Sequence, residues 1–128
     1  MTQTTVAAFL LALAVVFGAF GAHGLKEILD PYSLSVYETG VRYHFYHALG
    51  MLLIPLLAKA ALVTESAATW AFRLLAAGIV FFSGSLYVLA ISGITILGAV
   101  APIGGTAMIL GWMMLAWGSM QSRSPSGS

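Results

Sequence analysis

Four long apolar runs divide this chain, and almost no ionisable residue falls inside them. A helix needs about 20 mainly apolar residues to cross the roughly 30 Å hydrocarbon core of a bilayer. The runs that qualify are Thr5–Ala22, His44–Leu62, Thr69–Ile91 and Leu97–Ser119. In lipid the backbone has no water to bond, so a spanning segment satisfies itself as a helix or closes into a barrel. Strict alternation of apolar and polar residues is missing from these runs, which points to helices rather than barrel strands. The expected fold is all-α: a four-helix transmembrane bundle over residues 1–118. A polar tail rich in Ser, Gly and Pro, residues 119–128, is expected to be disordered.

Composition narrows the function classes. Only 7% of the 128 residues are charged, against about 25% in soluble domains, and the length suits a single domain. A net charge of +1 from scattered Lys and Arg excludes nucleic acid as a partner. The absence of Cys excludes disulfides, thiolate metal sites and a cysteine nucleophile. No Lys or Arg precedes Val6, so the first run lacks the basic start of a secretory signal and reads as a retained helix.

The ionisable residues gather between the first two runs. His23 to His47 holds all three histidines, Lys26, Arg42, Glu27, Asp30, Glu38 and four tyrosines. Asp30-Pro31 is a helix start, Asp as cap and Pro at the first helical position. It predicts a short interfacial helix from Tyr32 to Gly40, with Glu38 and Arg42 spaced for an intrahelical ion pair. Tyr32, Tyr37, Tyr43 and Tyr46 suit an aromatic belt. The second connection is expected over Lys59–Ala68, and the third from Ser92 through Pro102-Ile103-Gly104-Gly105. Small residues let helices approach closely in lipid. Ala7, Ala14, Gly18 and Gly21 in the first span, and Gly104, Met108, Gly111, Leu115 and Gly118 in the fourth, predict that these two spans pack together, within one chain or across an oligomer. Four spans put both termini on one side, and Lys59, Arg73 and Arg123 against Lys26 and Arg42 favour termini inside.

The candidate polar or ligand cluster is His23, Glu38, Arg42, His44, His47, Ser83 and Ser85. Polar groups in membrane helices are costly and face protein or water. One reading makes the cluster a site for a ligand, proton or haem, with Arg42 holding an anion. The other makes it structural: Arg42 snorkels and pairs Glu38, His23 caps the first helix, His44 and His47 donate to carbonyls of the first helix or the third loop, and the serines bond backbone or bridge helices. His44 and His47, three apart, share a helix face but form a weak metal pair without a third ligand in register. No carboxylate lies in any run, which argues against proton-coupled export of the small multidrug exchanger kind. No nucleophile, base and acid come together in a catalytic pattern, so the chain reads as a non-enzyme. The residues name no cofactor.

Four motifs in order carry a family resemblance: Gly18-Ala19-Phe20-Gly21-Ala22-His23-Gly24-Leu25, Thr39-Gly40-Val41-Arg42-Tyr43-His44-Phe45-Tyr46-His47-Ala48-Leu49-Gly50, Phe82-Ser83-Gly84-Ser85-Leu86-Tyr87, and Leu97-Gly98-Ala99-Val100-Ala101-Pro102-Ile103-Gly104-Gly105. Together they resemble the YgdD-like small inner-membrane proteins, domain-of-unknown-function family 423, whose eukaryotic relative is transmembrane protein 256. The resemblance implies a multi-pass protein of the bacterial inner (plasma) membrane and carries no biochemical activity with it. The function expected is that of a non-enzymatic scaffold or accessory subunit. Its partners would be the lipid bilayer and a homo-oligomer or larger membrane complex. A first alternative is a protein that binds or transports a small molecule, anion or lipid headgroup through His23, Arg42, His44 and His47. A second is a haem- or metal-binding redox anchor.

Overall fold

The computed structural model describes residues 1–123, and these form four long helices with no strand among them. Helix α1, Gln3–His23, is capped by Thr2, whose hydroxyl accepts the Thr5 amide at 3.1 Å, and a 3₁₀ turn, Leu25–Glu27, follows it. Helix α2 is Pro31–Lys59. Helix α3 spans Glu65–Ser92 and includes a π turn at Ile79–Ser83. It closes on Gly93, whose left-handed φ of 74° returns its amide to Leu89 O. Helix α4 is Leu97–Arg123.

Three of these helices are long and apolar enough to cross a membrane: α1 with its 3₁₀ turn, α3 and α4. The exception is α2, which carries Glu38 and Arg42 in its first half. Its start is the one expected. Asp30 Oδ1 accepts the Ser33 amide at 2.6 Å and Pro31 follows it. The Ser33 backbone bond holds the Asp30 carboxyl below its ordinary range.

The separate interfacial helix is not formed: Tyr32 to Gly40 make the first turns of α2, which continues unbroken to Lys59. Gly40 does not terminate the helix because it serves as a packing site. A Cβ there would lie 2.9 Å from the Tyr87 ring. The connections are correspondingly short. Pro102, Gly104 and Gly105 lie within α4 rather than in a loop, and α4 runs on through Ser119 to Arg123, where the polar tail was expected to begin. Residues 124–128 of that tail lie outside the described residues.

Helix α2 lies between α1 and α3, and α3 between α2 and α4; α4 reaches α2 through Trp112, which lies over Gly50. Its buried face runs Tyr37, Gly40, His44, His47, Met51, Ile54, the three-four spacing of an interhelical seam. The small-residue stripes are used, but not on each other. The buried residues of α1 are Ala7, Ala14 and Gly21, and Gly18 and Gly21 face Val41 and Tyr37 of α2. Gly104, Gly111 and Gly118 of α4 face Phe81–Phe82, Leu75 and Ala67 of α3. Short connections make sequence neighbours antiparallel neighbours in space, which leaves the expected pairing of the first and fourth spans without a place inside this chain.

The π turn lies where the packing of α3 shifts. Both stretches of α3 touch α2 and α4, but before the turn α4 is the main neighbour and after it α2. The Gly84 amide reaches back to Ile79 O across the widened turn. One extra residue rotates the following face by about 100°. A Cβ on Gly104 would fall on the Phe81–Phe82 backbone, which has no side chain to move aside, whereas one on Gly84 meets nothing. Gly104→Ala is therefore expected to destabilise the bundle by about 1–3 kcal/mol. Gly84→Ala should be neutral or stabilising by up to about 1 kcal/mol. Thermal unfolding midpoints of the two variants in detergent check this contrast.

Candidate functional site

The polar residues of α2 are sorted by the seam they occupy. His44, 2% exposed, is bonded through both ring nitrogens: Nε2 lies 2.7 Å from Leu10 O in α1 and Nδ1 lies 2.8 Å from the Tyr87 hydroxyl in α3. A carbonyl only accepts, so Nε2 carries the proton and Nδ1 accepts from Tyr87. One imidazole thus links three helices. The Tyr37 hydroxyl donates to Phe17 O at 2.5 Å, and the fully buried Ser83 donates to Gly40 O at 2.7 Å. Around these bonds the Tyr87 ring meets Phe17 edge-on at 4.9 Å and lies 5.2 Å from Tyr37.

His47 belongs to a different interface. Its Nδ1–H donates to Tyr43 O one turn back, at 2.7 Å. Its ring stacks 5.8 Å from Tyr43 and lies 5.8 Å from Trp112 of α4. It borders an open cavity of about 390 Å³ between α2, α3 and α4.

The rest of the expected cluster stays apart. His23, the last residue of α1, is exposed, as are Glu38 and Arg42. Arg42 donates from Nη2 to Thr39 Oγ1 at 3.2 Å. It and Glu38 border a shallow cleft of about 210 Å³ against Gly18 and Gly21. Ser85 is buried on α3 but makes none of the bonds around His44. Among the described residues no three of His, Cys, Asp and Glu converge as metal ligands.

Sequence reasoning singled out His44, His47 and Ser83, but not the tyrosine link from α2 to the Phe17 carbonyl or the place of Trp112 beside His47. The three-four spacing of Tyr37, Gly40, His44 and His47 carried the first signal. Trp112 directly follows Gly111 on the α4 seam, which carried the second. The accepting carbonyls of Leu10 and Phe17 have no signature in the sequence.

Residues 17–105, which contain this polar seam, match the family described as Protein of unknown function (DUF423). The chain belongs to the DUF423 family. Among its relatives, a UPF0382 membrane protein, YwdK of Bacillus subtilis, is 50% identical over 80% of this chain and 83% of its own length. The UPF0382 membrane protein SSP2132 of Staphylococcus saprophyticus is 48% identical over 85% of this chain and 88% of its own length. A UPF0382 membrane protein of Haemophilus influenzae is 40% identical over 86% of each. No solved structure matches. This DUF423 chain is thus a multi-pass membrane protein of bacterial type, as the sequence led us to expect.

The His44 link has a measurable weight. Tyr87→Phe removes one bond and is expected to cost about 1 kcal/mol. His44→Ala removes both and opens a cavity, for about 2–4 kcal/mol. Unfolding of the two single variants and the double variant in mixed micelles should show them coupled, since they share one bond.

Proposed function

We propose that this protein is a non-enzymatic scaffold or accessory subunit of the bacterial membrane, with α2 as a fourth span. The observation that carries the reading is the use of His44. Both of its nitrogens bond other helices, so the most enclosed acid–base group in the seam has neither a lone pair nor a proton left for a substrate. Tyr37 and Ser83 are engaged in the same way, each on a carbonyl of a facing helix. Such bonds stiffen a small bundle. They do not assemble a nucleophile, a base and an acid around a common point.

The fourth span is supported by length and packing. At 29 residues, α2 is about 43 Å long, enough to cross hydrocarbon, and it lies antiparallel between α1 and α3. The outer face of α1 offers Phe9, Val16 and Phe20 to its surroundings, where a second copy or a larger subunit can pack.

Two measurements test this reading. The chain has no native cysteine, so single cysteines introduced at Thr2, Lys26, Ser66 and Ile94 report sidedness directly. Four spans require Thr2 and Ser66 to label from one side of the membrane, and Lys26 and Ile94 from the other. Labelling of Lys26 and Ser66 from one side would remove α2 from the spans. Native mass measurement from nanodiscs should show a defined oligomer or a stoichiometric partner. A lone monomer would overturn the scaffold role.

A further inference from the structure

We propose that the groove between α2, α3 and α4 binds a lipid-soluble molecule with a hydroxyl-bearing aromatic ring, of the quinol type, and that His47 Nε2 accepts its hydroxyl hydrogen. This inference does not rest on the scaffold reading.

His47 is 8% exposed, and its Nδ1–H is committed to Tyr43 O. A neutral imidazole that donates through one nitrogen accepts through the other. That second nitrogen has no partner among the described residues, while the ring borders the 390 Å³ cavity. An acceptor in lipid without a donor is costly, so the ligand that fits it brings an O–H.

The walls define the rest of the ligand. Tyr43 stacks on the imidazole with 15° between the planes, Trp112 lies tilted 5.8 Å from it, and Phe82 lies 4.9 Å from Tyr43. Aromatic walls of this kind favour a flat ring. The Thr106 hydroxyl already donates to Pro102 O at 2.8 Å, so it does not supply the donor that His47 Nε2 lacks. No cation borders the groove, so an anion has no counter-charge there.

Gly105 keeps the groove open. Unlike its neighbour Gly104, it is not required by packing: a Cβ there would make an ordinary 3.6 Å contact with Phe82. A larger side chain at 105 would fill the cavity without touching the hydrogen bonds of His47.

The test is a titration of the full chain, in phosphatidylcholine nanodiscs, with a short-chain benzoquinol kept reduced. Tryptophan fluorescence is the readout, and Trp112→Phe assigns the signal to the groove. Saturable quenching is expected, with the oxidised quinone, which lacks the hydroxyl, binding about 3–10-fold more weakly. His47→Asn keeps an amide donor for Tyr43 O but loses the Nε2 acceptor, so it should bind the quinol weakly and no longer distinguish the two forms. Gly105→Leu should abolish quenching while leaving the unfolding midpoint near that of the wild type. Equal affinity of the wild type for quinol and quinone would overturn the proposal, and this comparison needs no variant to fold. Binding untouched by both substitutions would overturn it as well. Replacing phosphatidylcholine with phosphatidylglycerol, whose headgroup carries hydroxyls, should leave the titration unchanged; competition would assign the groove to a headgroup instead.

Discussion

The bond pair of His44 organises the bundle, because lipid offers a buried imidazole no substitute for it. In water an unpaired ring nitrogen is solvated at little cost. In hydrocarbon it must find a carbonyl or a hydroxyl on a neighbouring helix. Leu10 O of α1 and the Tyr87 hydroxyl of α3 meet that demand, and this fixes the rotation of α2 between its neighbours. The least apolar helix is thereby held between two others. Tyr37 and Ser83 repeat the rule above and beside His44, each reaching a main-chain oxygen. Hydrogen bonds of this sort contribute only about 1 kcal/mol each in membranes. Their larger effect is on specificity, since any rotation of α2 leaves several polar atoms unsatisfied together.

Close packing supplies what the hydrophobic effect cannot provide between helices already in lipid. Gly18 and Gly21 admit Val41 and Tyr37, and Gly104, Gly111 and Gly118 bring α4 onto the surface of α3. The two devices are linked at Tyr37: the ring that fills the space over Gly21 is the one whose hydroxyl reaches Phe17 O. They are linked again at the π turn, where the Phe81–Phe82 backbone lies against Gly104 and Ser83 reaches across to Gly40. A regular helix would put the Ser83 and Tyr87 faces about 100° away from where they are needed.

The helices were legible in the sequence because apolar length and hydrogen-bond self-sufficiency leave a lipid-facing chain few choices. The start of α2 was legible as well, since Asp30-Pro31 encodes its cap locally. Its continuity was not. Gly40 reads as a breaker in isolation, and only the Tyr87 ring, far away in the chain, makes it a packing position. The stripes in α1 and α4 were visible as interfaces, but a stripe does not name its partner. Short connections decided that. The cluster around Arg42 was legible as composition rather than geometry. The segment gathers His23, Glu38, Arg42, His44 and His47 within 25 residues, yet His23 stays exposed at the end of α1, while the turn of α2 sends Glu38 and Arg42 to the surface and its two histidines inward.

The separation of His44 from His47 follows from the same rotation. Three residues advance a helix by about 300°, so the two side chains leave α2 about 60° apart. On a lipid-exposed helix that difference would matter little, because both would face the same solvent. On a helix held between α1 and the α3–α4 pair, 60° crosses from one interface to the next. His44 enters an interface where a carbonyl and a hydroxyl already wait on either side. His47 enters one built from Tyr43, Phe82 and Trp112, where aromatic faces provide bulk but no donor aimed at its free nitrogen. Its remaining option is the Tyr43 carbonyl on its own helix. One amino-acid type, placed twice on one seam, is thus a structural link in the first instance and an open acceptor in the second. That difference arises because α1, α3 and Trp112 of α4 meet different parts of the circumference of α2.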